Sequence, residues 1–318
     1  MKRRPLTIIG SVILIIMLTV GGYILFAFNT SPGASIASKA LPAPSSATTT
    51  PQFTLVKNLQ LDWPMVGQAA VANVEDGLLA HSSDDEKVSP TASMAKVITA
   101  LAIMKKLPFE LGQTGQTFTI TRDDIASLNA YITKDGSVLP MLLGSKLTQY
   151  QAMQRMLIAS DDNMADILAE RIFGSREAYV SYAHSMLQSM GLSRTVVADA
   201  SGYDSTTAST PSELVEIGIT ALKNPVIAEI VAQTHAQIPA TGNITNTNQL
   251  LGTDGVIGIK TGTTNEAGSC LLFAGHYRDK NGQTKTLVGV IMGDTDHASL
   301  YSDSKKLLAS AKQAFGLN

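Results

Sequence analysis

Strand-like apolar runs stand at both ends of the folded part of this chain, with helix-period segments between them, and this order confines the fold more than any other feature. Near the start, Ala69-Ala70-Val71-Ala72-Asn73-Val74 and Leu78-Leu79-Ala80-His81 flank Glu75-Asp76-Gly77. Asp-Gly between two short apolar runs signals a hairpin, because glycine takes the positive φ that a tight turn demands. Near the end, 256–260, 269–277 and 286–292 read as strands, before a closing helix at about 297–315. Between them lie a strand at 117–121, a loop-rich stretch to about 147, and helical patterns at 149–158, 164–173, 176–190, 211–222 and 225–231. The order predicts a sheet whose first and last strands meet, with an inserted helical lobe.

Ahead of this part, Lys2, Arg3 and Arg4 precede an uncharged, mostly apolar run over 6–28. As a helix that run would reach ~35 Å, enough for a hydrocarbon core of ~30 Å. It is longer than the h-region of a cleaved signal peptide, so the expectation is an uncleaved single-pass anchor in the cell membrane. The basic cluster should stay cytoplasmic and send the rest to the extracytoplasmic side. Residues 29–52 shift to Ser, Pro, Ala and Thr and read as a flexible linker. The expected organisation is therefore 1–28 tip and anchor, 29–52 linker, and one folded domain over 53–318, with no additional C-terminal domain.

With 44% hydrophobic and 16% charged residues, a sizeable core is available. A formal net charge of -2 gives no basic footprint, so nucleic acid is not an expected partner. The one cysteine, Cys270, excludes an internal disulfide, and its apolar run reads as a buried strand. The five histidines show no paired ligand spacing, so no metal or other cofactor is expected.

The chemistry starts at Pro90-Thr91-Ala92-Ser93-Met94-Ala95-Lys96, which continues into an apolar helical run. A helix beginning near Ala92 puts Ser93 and Lys96 one turn apart on one face. A serine hydroxyl needs a neighbouring base, and a lysine in a buried helix can serve when its amine is neutral. The pattern alone is weak, since Ser302-Asp303-Ser304-Lys305 also fits it in a polar, solvated context. Two further stretches strengthen it. Lys260-Thr261-Gly262-Thr263-Thr264 ends an apolar strand with a cation, hydroxyls and a glycine suited to a carboxylate ligand, and Ala159-Ser160-Asp161-Asp162-Asn163 is a polar run between two helices.

In order, S-x-x-K, an S-x-N-like run and K-T-G resemble the motifs of the penicillin-recognising serine enzymes. Their spacing is similar to that of the low-molecular-mass D-alanyl-D-alanine carboxypeptidases, as are Asp199-Ala200-Ser201-Gly202-Tyr203 and the run 255–268. The resemblance covers roughly 53 to the C-terminus. It implies a β-lactamase/transpeptidase-like α/β (α+β) fold, with an antiparallel sheet of about five strands flanked by helices beside an all-helical lobe. It further implies that Ser93 attacks a D-Ala-D-Ala peptide bond, Lys96 takes its proton and Ser160 relays a proton to the leaving amine. Lys260, Thr261 and Thr263, with Gly262 allowing close approach, would hold the terminal carboxylate. The backbone N–H groups of Ser93 and Thr263 would form the oxyanion hole. The implied partners are a peptidoglycan stem peptide as substrate and β-lactams as covalent inhibitors.

One position departs from that pattern. Where the family has asparagine, this chain has Asp162, and the asparagine stands next, at Asn163. A carboxylate only accepts hydrogen bonds, whereas an amide also donates to a substrate carbonyl. Both residues are candidates for substrate binding, and a shifted loop turning Asn163 inward is the preferred expectation. The rival functions are a β-lactamase, although no E-x-x-L-N-type loop is present, and a tethered non-catalytic β-lactam or muropeptide sensor.

Overall fold

The structure is a computed structural model that describes residues 53–57, 59–83 and 85–318. The expected anchor over 6–28 and linker over 29–52 lie outside the described residues.

The sheet has six strands: β1 (Thr54–Leu55), β2 (Gln68–Asn73), β3 (Leu78–His81), β4 (Val256–Thr264), β5 (Gly268–Arg278) and β6 (Thr284–Asp294). Their spatial order is β1-β3-β2-β6-β5-β4. The predicted five antiparallel strands are present, and the sixth is the two-residue β1, which lies parallel to β3 at one edge. The first and last strands meet as expected, with Ala69 opposite Ile291 and Ala72 opposite Val288.

Both faces of the sheet are covered, which explains why its strands read as continuous apolar runs. On β5, Leu271 and Phe273 join one core with Leu287, Ile291 and the closing helix, whereas Cys270, Leu272 and Ala274 join the core of the helical lobe. This is the two-residue period of a strand applied to a sheet buried on both sides.

The helices are α1 (Ala95–Lys106), α2 (Arg122–Thr133), α3 (Gln149–Ile158), α4 (Asp162–Phe173), α5 (Arg176–Ser189), α6 (Pro211–Leu222), α7 (Pro225–Val231) and the closing α8 (His297–Ala314). Three details differ from expectation. Residues 122–133, read as loop, form α2, whose start is fixed by a capping box between Thr121 and Asp124. The polar run ahead of α4 is shorter than expected, because that helix begins at Asp162. A hairpin of His235–Ile238 and Gly242–Thr245 was not foreseen.

Candidate active site

The nucleophile does not sit in the first turn of an ordinary α-helix. Ala92–Met94 form a 3-10 turn, and the regular helix α1 starts behind it at Ala95. Ala92 has φ 46°, a left-handed value that costs an alanine of order 1–2 kcal/mol. Two glycines brace this turn. A Cβ on Gly202, itself at φ +76°, would stand 1.9 Å from the Ala92 carbonyl oxygen, and a Cβ on Gly262 would stand 3.1 Å from the Ser93 nitrogen. We expect Gly202→Ala to push the Ser93 turn out of place. It should lower both the melting temperature and the rate of β-lactam labelling, the latter by about tenfold or more, since small displacements of reacting groups are costly.

Lys96 is fully buried in α1, where nothing but its polar partners can compensate its burial. Its Nζ donates to Ser93 Oγ at 2.7 Å, to Asp162 Oδ1 at 2.6 Å and to the Ser201 carbonyl at 2.8 Å. The Ser93–Lys96 pairing expected from the sequence is therefore formed. The carboxylate of Asp162 is fixed from its other side by the Ser137 backbone N–H, 2.7 Å from Oδ2.

The preferred expectation for the middle motif is overturned. Asp162, not Asn163, reaches Lys96, because adjacent residues on a helix point about 100° apart and α4 has begun by Asp162. Asn163 is fully buried, with its amide donating to Met141 Sδ at 3.0 Å. Ser160 sits just before α4 with φ 65° and lines the same cleft as Ser93. Between them, Asp161 is buried against Arg155, whose guanidinium approaches Oδ2 to 2.7 Å. Burial pushes the Asp161 carboxyl up to about 6 against the pull of that cation.

Across the cleft runs β4, the edge strand of the sheet. Lys260 is buried and donates to the Thr261 carbonyl at 3.0 Å. Burial, and then the charge of Lys96, hold its amine well below the ordinary lysine value, with Asp162 opposing. The Thr261 and Thr247 hydroxyls lie 2.6 Å apart. One of the two hydrogens closes that bond, which leaves the other to donate to a ligand. Thr263 also lines the cleft. The cleft measures about 970 Å³, and its walls include Ser93, Ser160, Asp162, Thr261, Thr263 and Tyr203.

Supporting residues complete the site: Asp199 and Ser201 belong to the run 199–203 noted in the sequence, whereas Tyr131 and Asp166 had no sequence signal. Asp199 organises the turn that presents the Ser201 carbonyl, accepting from Ser201 Oγ at 2.7 Å and from the Tyr203 nitrogen at 2.9 Å. Tyr131, on the unforeseen α2, donates to Asp166 Oδ2 at 2.6 Å and lies 3.2 Å from Ser201 Oγ. Burial, with Asp166 nearby, raises the Tyr131 phenol, and burial pushes Asp166 up to about 6. The arrangement can deliver a serine alkoxide, hold a ligand along an edge strand and shuttle protons behind the nucleophile. Among the described residues no group of three or more His, Cys, Asp or Glu side chains is placed to hold a metal ion.

Comparison with known proteins agrees with this geometry. A family model described as D-alanyl-D-alanine carboxypeptidase matches residues 67–296. The D-alanyl-D-alanine carboxypeptidase of Streptomyces sp. strain K15 is 26% identical over 294 residues, spanning 87% of this chain and 94% of that relative. The D-alanyl-D-alanine carboxypeptidase DacB2 of Mycobacterium tuberculosis is 31% identical over 204 residues, 62% of this chain and 66% of that protein's length. Among solved structures, the Streptomyces K15 DD-transpeptidase superposes with a TM-score of 0.69 at 22% identity, covering 80% of this chain and 98% of that one. That likeness shows that this chain shares its α/β fold with the DD-transpeptidase.

Proposed function

Because the chain belongs to the D-alanyl-D-alanine carboxypeptidase family, we propose that it is a serine-type D-Ala-D-Ala carboxypeptidase that trims the terminal D-alanine from peptidoglycan stem pentapeptides. The observation that carries this reading is the 2.7 Å contact of Lys96 Nζ with Ser93 Oγ in a cleft shared with Ser160, Thr261 and Thr263. Ser93 attacks the carbonyl carbon of the penultimate D-alanine. The backbone N–H groups of Ser93 and Thr263 receive the developing oxyanion, a contribution usually worth about 10²–10³ in rate for a single donor. Thr261 and Thr263, backed by Lys260, hold the terminal carboxylate through hydroxyl donors. Ser160 passes a proton to the departing amine, and water then releases the acyl group. A β-lactam enters the same steps and acylates Ser93.

Lys260 stands behind the Thr261 and Thr263 hydroxyls on β4, buried, with its amine donating to the Thr261 carbonyl at 3.0 Å. We further propose that 6–28 anchors 53–318 on the extracytoplasmic face of the cell membrane, a reading supported by the apolar run and by Lys2, Arg3 and Arg4 before it.

The test is release of D-alanine from diacetyl-Lys-D-Ala-D-Ala by the purified chain. Release should stop after labelling with a fluorescent penicillin, and peptide mapping should find the label on Ser93. Labelling without release would instead mark a binding module, and nitrocefin hydrolysis over many turnovers would mark a β-lactamase.

A further inference from the structure

Lys96 has no hydrogen-bonding capacity left over. An ammonium offers three N–H donors, and Nζ has three oxygen partners at 2.6–2.8 Å: Ser93 Oγ, Asp162 Oδ1 and the Ser201 carbonyl. The carbonyl is not basic. An amine beside an ionised Asp162 would leave a buried carboxylate without a cation, so the pair keeps one proton between its members. Charged in this way, Lys96 has no lone pair with which to take a proton from Ser93. Among the described residues, the only basic atom touching it is Asp162 Oδ1, at 2.6 Å.

We propose that Asp162, acting through Lys96, is the final acceptor of the Ser93 proton, so that the working base of this enzyme is the Lys96–Asp162 pair. The inference rests on the carboxypeptidase reading above and gives that reaction a proton path. In one step a Lys96 N–H bond breaks as an O–H bond forms on Asp162, and the same nitrogen takes the Ser93 proton while Ser93 Oγ bonds to the substrate carbonyl carbon. Lys96 thus stays an ammonium, Asp162 becomes a neutral acid and the negative charge passes to the oxyanion. As the tetrahedral adduct collapses, its C–N bond breaks and the departing nitrogen gains a proton from Lys96 by way of Ser160. Asp162 then returns its proton to Lys96, so no external acid or base enters the balance.

The surroundings favour this exchange. Ser137 N–H holds Oδ2 at 2.7 Å, which fixes Oδ1 on Lys96. A Cβ on Gly136 would come within 3.1 Å of Oδ2, so the glycine keeps that approach open. Among the described residues, Lys260, Asp161, Asp166 and Tyr131 are ionisable groups that interact with the pair. Asp161 is neutralised by Arg155, and Asp166 bonds to Tyr131, so neither competes for the Lys96 proton.

The test is the rate of acylation by a fluorescent penicillin in mixtures of H2O and D2O. Two protons in flight predict a bowed dependence on deuterium fraction for the natural chain. In Asp162→Asn the amide cannot take a proton, so the dependence should straighten and the rate should fall on the order of 10²-fold, the lower range for acid–base catalysis. A residue that merely shapes the site would change the rate and leave the bow. A straight dependence in the natural chain overturns the proposal and requires no variant to fold. Equal or faster acylation by Asp162→Asn also overturns it. If the natural chain is not acylated, or is labelled elsewhere than Ser93, the carboxypeptidase reading itself fails and takes this inference with it.

Discussion

Replacing Lys96 by methionine is expected to cut β-lactam acylation by about 10⁴-fold, the upper range for loss of acid–base catalysis, because no other side chain donates to or accepts from Ser93 Oγ among the described residues. The same substitution strands Asp162, which is 4% exposed, without its cation. Removing one partner of a buried ion pair typically costs about 3–5 kcal/mol, so the variant should also unfold at lower urea. The double variant Lys96→Met/Asp162→Asn separates the two effects. It should recover most of the stability, since the uncompensated charge is gone, and none of the acylation. Urea unfolding and penicillin labelling on the same samples check both halves, and a double variant that regained labelling would show that Lys96 is not the group next to the reacting hydroxyl.

Arg155→Met is expected to destabilise the chain by a similar amount, about 3–5 kcal/mol, and to disorder the turn that carries Ser160 and Asp162. Arg155 is almost fully buried, and its guanidinium serves several groups at once. It donates to Asp161 Oδ2 at 2.8 Å, to the Pro140 carbonyl at 3.0 Å, to the Leu139 carbonyl at 3.0 Å and to Thr241. The Asp161 backbone N–H returns to the Arg155 carbonyl at 3.2 Å. One side chain thus joins α3, the loop before it and the hairpin near Thr241 to the middle motif. The deficit should depend on pH in a definite direction. A carboxyl whose folded pKa lies above its unfolded value holds more protons when folded, so its contribution to stability falls as pH rises through that interval. In the natural chain the interval runs from 3.8 to about 6. Without Arg155 the interval widens upward, so the variant should lose more stability at pH 8 than at pH 5. A loss of equal size at both values would mean that removing Arg155 does not raise the folded Asp161 carboxyl any further.

What the sequence could reveal depended on how local each signal was. Ser93 and Lys96 are three residues apart, and a lysine inside a run of Ala, Val, Ile, Leu and Met asks for an explanation. Lys260-Thr261-Gly262 reads in the sequence as polar chemistry at the end of an apolar strand, whereas the strand runs on through it to Thr264, so the motif lies along the edge strand itself. The sheet was legible because its strands are apolar runs bounded by turns, although the two-residue β1 is too short to leave a pattern. Helix α2 was not legible, because it buries only Asp124 and Leu128 and so has no apolar stripe. Its one visible mark was Thr121 followed by Asp124. The choice between Asp162 and Asn163 required the start of α4 to within one residue, and helix ends are the least determined part of any pattern. Arg155 carried the same signal as Lys96, a cation in a buried helix, but its partner lies across a turn rather than along the helix. Tyr131, Asp166 and Ser137 find their partners only through tertiary structure, and no spacing announces them.

The pairing of Ala69 with Ile291 also dictates when this molecule becomes reactive. The two residues lie roughly 220 positions apart, so closing the sheet must overcome a large loop entropy before the contact rewards it. Ser93 and Lys96 belong to the part of the chain that is synthesised early, whereas the opposite wall of the cleft, Lys260 to Thr263, belongs to the last strands. A chain emerging from its N-terminus first therefore carries its nucleophile for most of its synthesis without the edge strand that would bind a peptide or an antibiotic beside it. The enzyme is assembled inert and becomes vulnerable to β-lactams only when its final strands dock.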